Sequence, residues 1–246
     1  MKRFTPLLVV GVLALAGAGC GPSAPSNTSA PSTPYSNTAP TPSAMAKGRV
    51  VFVVKDASTD LSGVTSVMLT VDKVEAHSTS TGWVTVSSGT KQYDLLQLKK
   101  TGAAQLLADI QLSAGTYDQV RLDISKVMVT ANGKTQEAKL PSHTLKLVGS
   151  LTVTGGQTSL MSFDFILDKS LHLTGNGMYI LAPVVHLQSE DNADVEVDAD
   201  ESVKVNAGDI ETDEQDGMDE SGDMKANFEL PEHLDIDAKG MIKIGS

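Results

Sequence analysis

In the stretch Val67-Met68-Leu69-Thr70-Val71-Asp72, residues two apart project to the same side of an extended chain. Val67, Leu69 and Val71 therefore share one face, and the stretch reads as a half-buried strand. The same reading extends to both sides of it. Runs rich in Val, Leu, Ile and Thr occur at Arg49 to Lys55, Val64 to His77, Trp83 to Ser87, Thr116 to Ile124, Lys126 to Thr130, Thr144 to Thr154, Ser159 to Leu167 and Met178 to Leu187. Asn132-Gly133, Gly155-Gly156 and Gly175-Asn176-Gly177 punctuate them and predict antiparallel hairpins. Only Asp94 to Ile110, with Leu95, Leu96, Leu98, Leu106 and Leu107, reads as helical, as one or two short turns around Gly102. Many strands with a small helical insertion predict a mainly β protein, an antiparallel β-sandwich spanning residues 47–188. That length builds a core without disulfides.

Leu112-Ser113-Ala114-Gly115-Thr116-Tyr117, followed by Val120-Arg121-Leu122, resembles the pivot of transthyretin-like modules. There a glycine turn feeds a tyrosine-led strand, because Gly accepts positive φ and Tyr buries its ring while its hydroxyl stays bonded. The sandwich is thus expected to be transthyretin-like or Ig-like. In order along the chain stand Val51-Phe52-Val53-Val54-Lys55-Asp56-Ala57, Gly82-Trp83-Val84, Tyr93-Asp94-Leu95-Leu96-Gln97-Leu98, and Ala114 to Leu122. Leu140-Pro141-Ser142, Phe163-Asp164-Phe165 and Tyr179-Ile180-Leu181-Ala182-Pro183-Val184-Val185 follow. With these blocks the chain resembles the domain-of-unknown-function family 4382, found in secreted and lipid-anchored proteins of bacteria and archaea. The resemblance implies the fold and an exported setting, and it carries no functional residues with it.

At the N-terminus, Lys2 and Arg3 precede an apolar run from Leu7 to Ala18, and small residues lead into Cys20, the only cysteine. This is the layout of a secretory signal over residues 1–19. It resembles a bacterial lipoprotein signal, in which the cysteine thiol takes a diacylglycerol and becomes the mature N-terminus. Gly17 stands where such signals usually carry Leu, so simple cleavage after Ala16-Gly17-Ala18 is the alternative. The apolar run falls short of the ~20 residues that span a bilayer. Residues 20–46 follow as a lipid-anchored linker, and Gly21 to Ala46 holds six of the ten prolines among Ser, Thr, Ala and Asn. Such a segment buries too little apolar surface to offset its ordering entropy and reads as a disordered stalk, with a reach of roughly 28 Å.

The chain lacks G-x-S-x-G and H-E-x-x-H, and its histidines, His77, His143, His172 and His186 in the domain, lack ligand spacing. No enzyme, cofactor or metal centre is expected. Two features point to ligand chemistry. Asp164 sits between Phe163 and Phe165, so its carboxylate projects away from the core, and Asp168 opens the loop beyond. The pair reads either as a capped strand end or as a hard-cation or sugar-binding edge. Trp83, the sole tryptophan, shares parity with Thr85 and opposes Val84 and Val86. A half-exposed ring that stacks on a sugar stands beside core or edge packing, and packing is the preferred reading.

Charge divides the chain. Residues 1–187 carry 15 Lys/Arg and 11 Asp/Glu, whereas 188–246 carry 4 and 19. Residues 189–246 therefore read as an acidic, largely disordered extension, with weak Ca²⁺ association as its expected cation chemistry and nucleic acid disfavoured by sign. Within it, Val195-Glu196-Val197 and Val203-Lys204-Val205 have the alternation to extend the sheet, and Met241 to Ile244 to form a terminal strand. Together these features predict a lipoprotein held at the membrane through Cys20, facing the periplasm or the exterior. Its expected role is non-catalytic binding or adhesion, with a glycan or envelope protein as partner. A structural envelope protein is the alternative; a hydrolase or a divalent-cation-binding protein ranks below both.

Overall fold

The computed structural model describes residues 46–56, 61–218, 222–225, 234–236 and 242–244. The expected signal, Cys20 and the stalk, apart from Ala46, lie outside the described residues. In chain order the elements are β1 (Lys47–Asp56), β2 (Val64–Ser78), β3 (Gly82–Ser87), β4 (Lys91–Asp94), α1 (Leu95–Thr101), β5 (Ala104–Ser113), β6 (Gly115–Ala131), β7 (Lys134–Glu137), β8 (Thr144–Val153) and β9 (Thr158–Phe165). They continue with α2 (Leu167–Ser170), β10 (Leu171–Leu173), β11 (Tyr179–Leu181), β12 (Val184–Val197), β13 (Ser202–Met218), β14 (Met224–Lys225), β15 (Leu234–Ile236) and β16 (Ile242–Ile244).

Two six-stranded sheets face each other across the main core. The second sheet is built on β2 and β6, which pair along nearly their whole lengths; β3 and β4 flank β2, and β7 and β8 flank β6. Val67, Leu69 and Val71 of β2 are buried in the core, as their alternation predicts. Register shifts at Thr70/Val71 and Val71/Lys73 then change the parity, so that Val74 and Ala76 take the inward positions. Gly115, at φ 147°, opens β6. Tyr117 follows with its ring buried and its hydroxyl donating to the Ser113 carbonyl at 3.1 Å.

The first sheet runs β12-β9-β1-β5-β13-β14, and β13 also pairs with β12, so the path closes on itself. All its pairs are antiparallel except β1 with β9, which is parallel. β1 is buried on both faces: Val50, Val51, Phe52, Val53 and Val54 are each 0% exposed. Val50, Phe52 and Val54 face the main core, where the Phe52 ring stacks with Phe163 at 6.5 Å. Val51 and Val53 face a second cluster with Leu160, Ala104, Ala193 and Val203, against which Val195, Val197 and Val205 pack. Each fully buried aliphatic side chain contributes about 1.5–3 kcal/mol.

The cover over that second cluster comes from the acidic segment. Residues β12 and β13 form a long hairpin whose tip returns to β5, pairing Ser202 with Gln105 and Val203 with Ala104. At the tip the Leu106 N–H donates to the Glu201 carbonyl at 2.8 Å, and Lys91 Nζ reaches both Glu201 carboxylate oxygens at 3.0 Å. Further along, the hairpin covers the edge of β8 with side chains. The Val148 N–H donates to Asp216 Oδ2 at 3.2 Å, Ser150 N–H to Thr212 Oγ1 at 2.9 Å, and Thr152 N–H to Glu211 Oε2 at 2.6 Å. Gly149 allows this approach, since a Cβ there would meet Leu187 Cδ2 at 2.7 Å.

Four expectations change. The helical reading of Asp94 to Ile110 holds only for α1: Asp94 caps it by accepting from the Gln97 N–H, and Gly102 ends it at φ 64°. Leu106, Leu107 and Ile110 lie instead on β5, paired with β1. Gly155-Gly156 is a crossing between sheets, because β8 pairs with β6 and β9 with β1. Asn132-Gly133 and Gly175-Asn176-Gly177 do close hairpins, β6 with β7 and β10 with β11. The boundary at residue 188 falls inside β12, and the acidic residues up to Met218 form strand rather than a disordered extension. Apart from the buried Glu190, most of the charged residues stay in water or cap backbone groups, while Val195, Val197, Val203 and Val205 of the hairpin pack against the second cluster. β15 and β16 pair as a separate two-stranded sheet.

Leu160 tests the closure, because it lies on the sheet face that, among the described residues, the hairpin covers. Leu160→Ala is expected to cost about 2–5 kcal/mol in urea unfolding. A cost below about 0.5 kcal/mol, as at a surface position, would show that the face is open.

Candidate functional site

On the outer face of the second sheet, strand parity decides which side chains meet. Val120, Leu122 and Ile124 of β6 point into the core, which turns Gln119, Arg121 and Asp123 outward. Cross-strand register sets His77 opposite both Trp83 and Gln119, and Arg121 opposite both Glu75 and Lys146. The Trp83 indole is half-buried there. The Arg121 guanidinium lies over its ring with Cζ 3.7 Å from the centroid, and the His77 ring abuts it at 5.1 Å, tilted by 59°. A stacked cation of this kind contributes about 0.5–2 kcal/mol and fixes the indole in place. His77 Nδ1 is in turn held by Asp118 Oδ1 at 2.6 Å.

Beyond Arg121 the face deepens into an open groove of ≈ 570 Å³, lined by Arg121, Ser142, Thr144, Lys146 and the segment Gly222 to Lys225. The volume falls within the range of small-molecule sites. An aromatic surface adjoining a polar, cation-bearing groove can receive a ligand with both a flat apolar face and hydrogen-bonding groups.

The residues singled out in the sequence are not brought together. Trp83 lies on the solvent side of the second sheet, packed on Arg121 and His77 rather than in the core. Asp164 is on the opposite outer face, between Lys55 of β1 and His186 of β12, while Phe163 and Phe165 fill the core. Asp168 is exposed in α2. The histidines are dispersed too: His143 Nδ1 meets the Ile124 carbonyl at 2.9 Å, His186 pairs with Asp213, and burial holds His172 below its ordinary pKa. Among the described residues no group of three or more His, Cys, Asp or Glu is arranged to hold a metal ion. No described helix is long and apolar enough to cross a membrane. Arg121 and Lys146 emerge only from the register; the parity of Val120-Arg121-Leu122 shows that Arg121 points outward, but not what it meets.

The family described as Domain of unknown function (DUF4382) matches residues 47–183. The chain belongs to this family. No curated protein and no solved structure matches the chain. The DUF4382 match takes in Trp83, Arg121 and Lys146 and ends one residue before β12, so the hairpin that closes the first sheet lies beyond it.

Where that hairpin meets the DUF4382 region, Asp216 is only 1% exposed. One oxygen accepts from Val148 N–H, and Oδ1 has no hydrogen-bond partner. Burial raises its pKa to about 6, helped by the nearby Glu214 and opposed by the Val148 hydrogen bond. A carboxyl raised in the folded state holds its proton more tightly there than in the unfolded chain. Its contribution to stability is therefore complete below the ordinary carboxylate pKa of 3.8 and is lost as pH rises through about 6. The loss amounts to roughly 3 kcal/mol. Asp216→Asn keeps an acceptor for Val148 and removes the titration. Melting curves from pH 4 to 8 are expected to show the variant gaining stability over wild type as pH rises through 6; a constant difference would contradict the assignment.

Proposed function

We propose that this DUF4382 protein is an exported lipoprotein of the cell envelope, anchored through Cys20, whose domain serves as a non-catalytic binding module. The lipoprotein-like signal and the proline-rich stalk support the placement, because together they hold a folded domain at a distance from a membrane surface. The observation that carries the binding role is the Trp83 platform. An indole kept half-buried on the solvent side of a sheet, with a guanidinium over its ring and an imidazole beside it, is held in a fixed orientation. It is preorganised, so little side-chain entropy is lost when a ligand stacks on it. Gln119, opposite His77 on the same face, supplies a polar group that orients the ligand.

Saccharides suit this chemistry, since they combine flat C–H faces with a rim of hydroxyls. The test is a panel of neutral and charged oligosaccharides titrated into the full chain, followed by the fluorescence of its sole tryptophan and by melting temperature. At least one oligosaccharide is expected to give a saturable change, and Trp83→Ala to abolish the accompanying stabilisation. No response to any of them, alongside reproducible hydrolytic turnover, would overturn the binding reading. For the anchor, Cys20→Ala is expected to move the protein from the membrane fraction to the soluble one; retention in the membrane would contradict it.

A further inference from the structure

We infer that the groove beside Trp83 is a subsite for the anionic substituent, a carboxylate or sulfate, of a saccharide stacked on the indole. This rests on the binding reading above and narrows its ligand class.

Arg121 and Lys146 are direct cross-strand partners on the same outer face, a placement in which like charges repel. Acidic residues outnumber basic ones 30 to 19 in this chain, yet among the described residues neither of these two cations has a carboxylate partner. The acids within reach are already engaged. Glu75, across from Arg121, is taken by Lys73 at 2.6 Å; Asp118 is held by His77; Asp123 accepts from the Thr144 hydroxyl at 2.8 Å. Asp223 and Lys225 on the far wall also have partners. Arg121 Nε is buried with no hydrogen-bond partner, so the guanidinium is partly desolvated without a compensating acceptor. Two adjacent cations, one of them a partly desolvated fork, form a receptor for a planar or tetrahedral oxyanion.

The groove hydroxyls extend this to a sugar. Ser142 Oγ donates to the Thr144 carbonyl at 2.9 Å and Thr144 Oγ1 donates to Asp123, so both have spent their protons within the protein. Thr144 Oγ1 thus offers lone pairs that accept from sugar hydroxyls. The indole supports the ring, the cations take its acidic group, and the hydroxyls take its neighbours.

The experiment titrates the full chain with trigalacturonate, with its fully methyl-esterified counterpart, and with sodium sulfate, by Trp83 fluorescence and by calorimetry. Trigalacturonate is expected to bind at least about tenfold more tightly than the ester, with affinity falling as salt rises. Lys146→Gln, at an exposed position away from the core, is expected to remove most of that preference while leaving ester binding unchanged, whereas Arg121→Gln, which also releases the indole, is expected to weaken uronate and ester alike. Equal binding of ester and uronate, or an unaltered preference in Lys146→Gln, would overturn the anionic subsite and leave the binding reading standing. Sulfate binding without uronate binding would overturn the saccharide. No binding of trigalacturonate overturns this inference, and the binding reading then stands or falls by the neutral sugars of the wider panel.

Discussion

Five consecutive side chains, Val50 to Val54, are removed from water on one strand, and an extended chain can achieve this only if both of its faces are covered. One cover is the second sheet, which meets Val50, Phe52 and Val54 across the main core. The other is the β12–β13 hairpin, which meets Val51 and Val53. β1 sits between β9 and β5, so its backbone groups are satisfied on both edges as well. The closure of the first sheet, the docking of the hairpin tip on β5 through Glu201 and the parallel pairing with β9 all follow from burying this one strand completely.

The acidic composition of the hairpin is compatible with that task because the carboxylates and the valines are separated by strand parity and by bulges. Register shifts between Ser189 and Val195, with Asn192 at φ 48°, bend β12 over the outer face of the sheet. The acids then act as acceptors. Glu211 and Asp216 cap N–H groups of β8 that would otherwise stand open at a sheet edge, and Glu201 pairs with Lys91. At Asp216 this arrangement carries a cost, a buried carboxylate oxygen without a partner, and that cost makes the joint sensitive to pH.

Much of the sandwich was legible in the sequence, because period-2 alternation in β2, β6 and β8 directly records which face is buried. Glycine turns located β6–β7 and β10–β11 for the same local reason. What alternation does not carry is pairing. Nothing in Leu106-Leu107 distinguishes a helix from a strand until Gly102 ends α1 and β1 supplies a partner. The hairpin was obscured by its charge, although Val195, Val197, Val203 and Val205 carried the period that sheet extension requires. At the candidate site, Trp83 was visible as a lone aromatic of outward parity. Arg121 and Lys146 became a pair only through the β6–β8 register, and Asp164, four residues before Asp168, fell on a different sheet from Trp83. The family resemblance pointed to the domain, and its match ends before the strands that complete the first sheet.

The acidic hairpin is part of the folded core rather than an appendage to it. Native-state hydrogen exchange on the full chain addresses this directly, by comparing amides of residues 203–205 and 193–197 with those of Val51 and Val53. The hydrogen-bonded amides of the hairpin are expected to exchange with an opening free energy close to that of β1, because covering Val51 and Val53 couples the two. Hairpin amides that exchange as in an unfolded chain while β1 stays fully protected would contradict it.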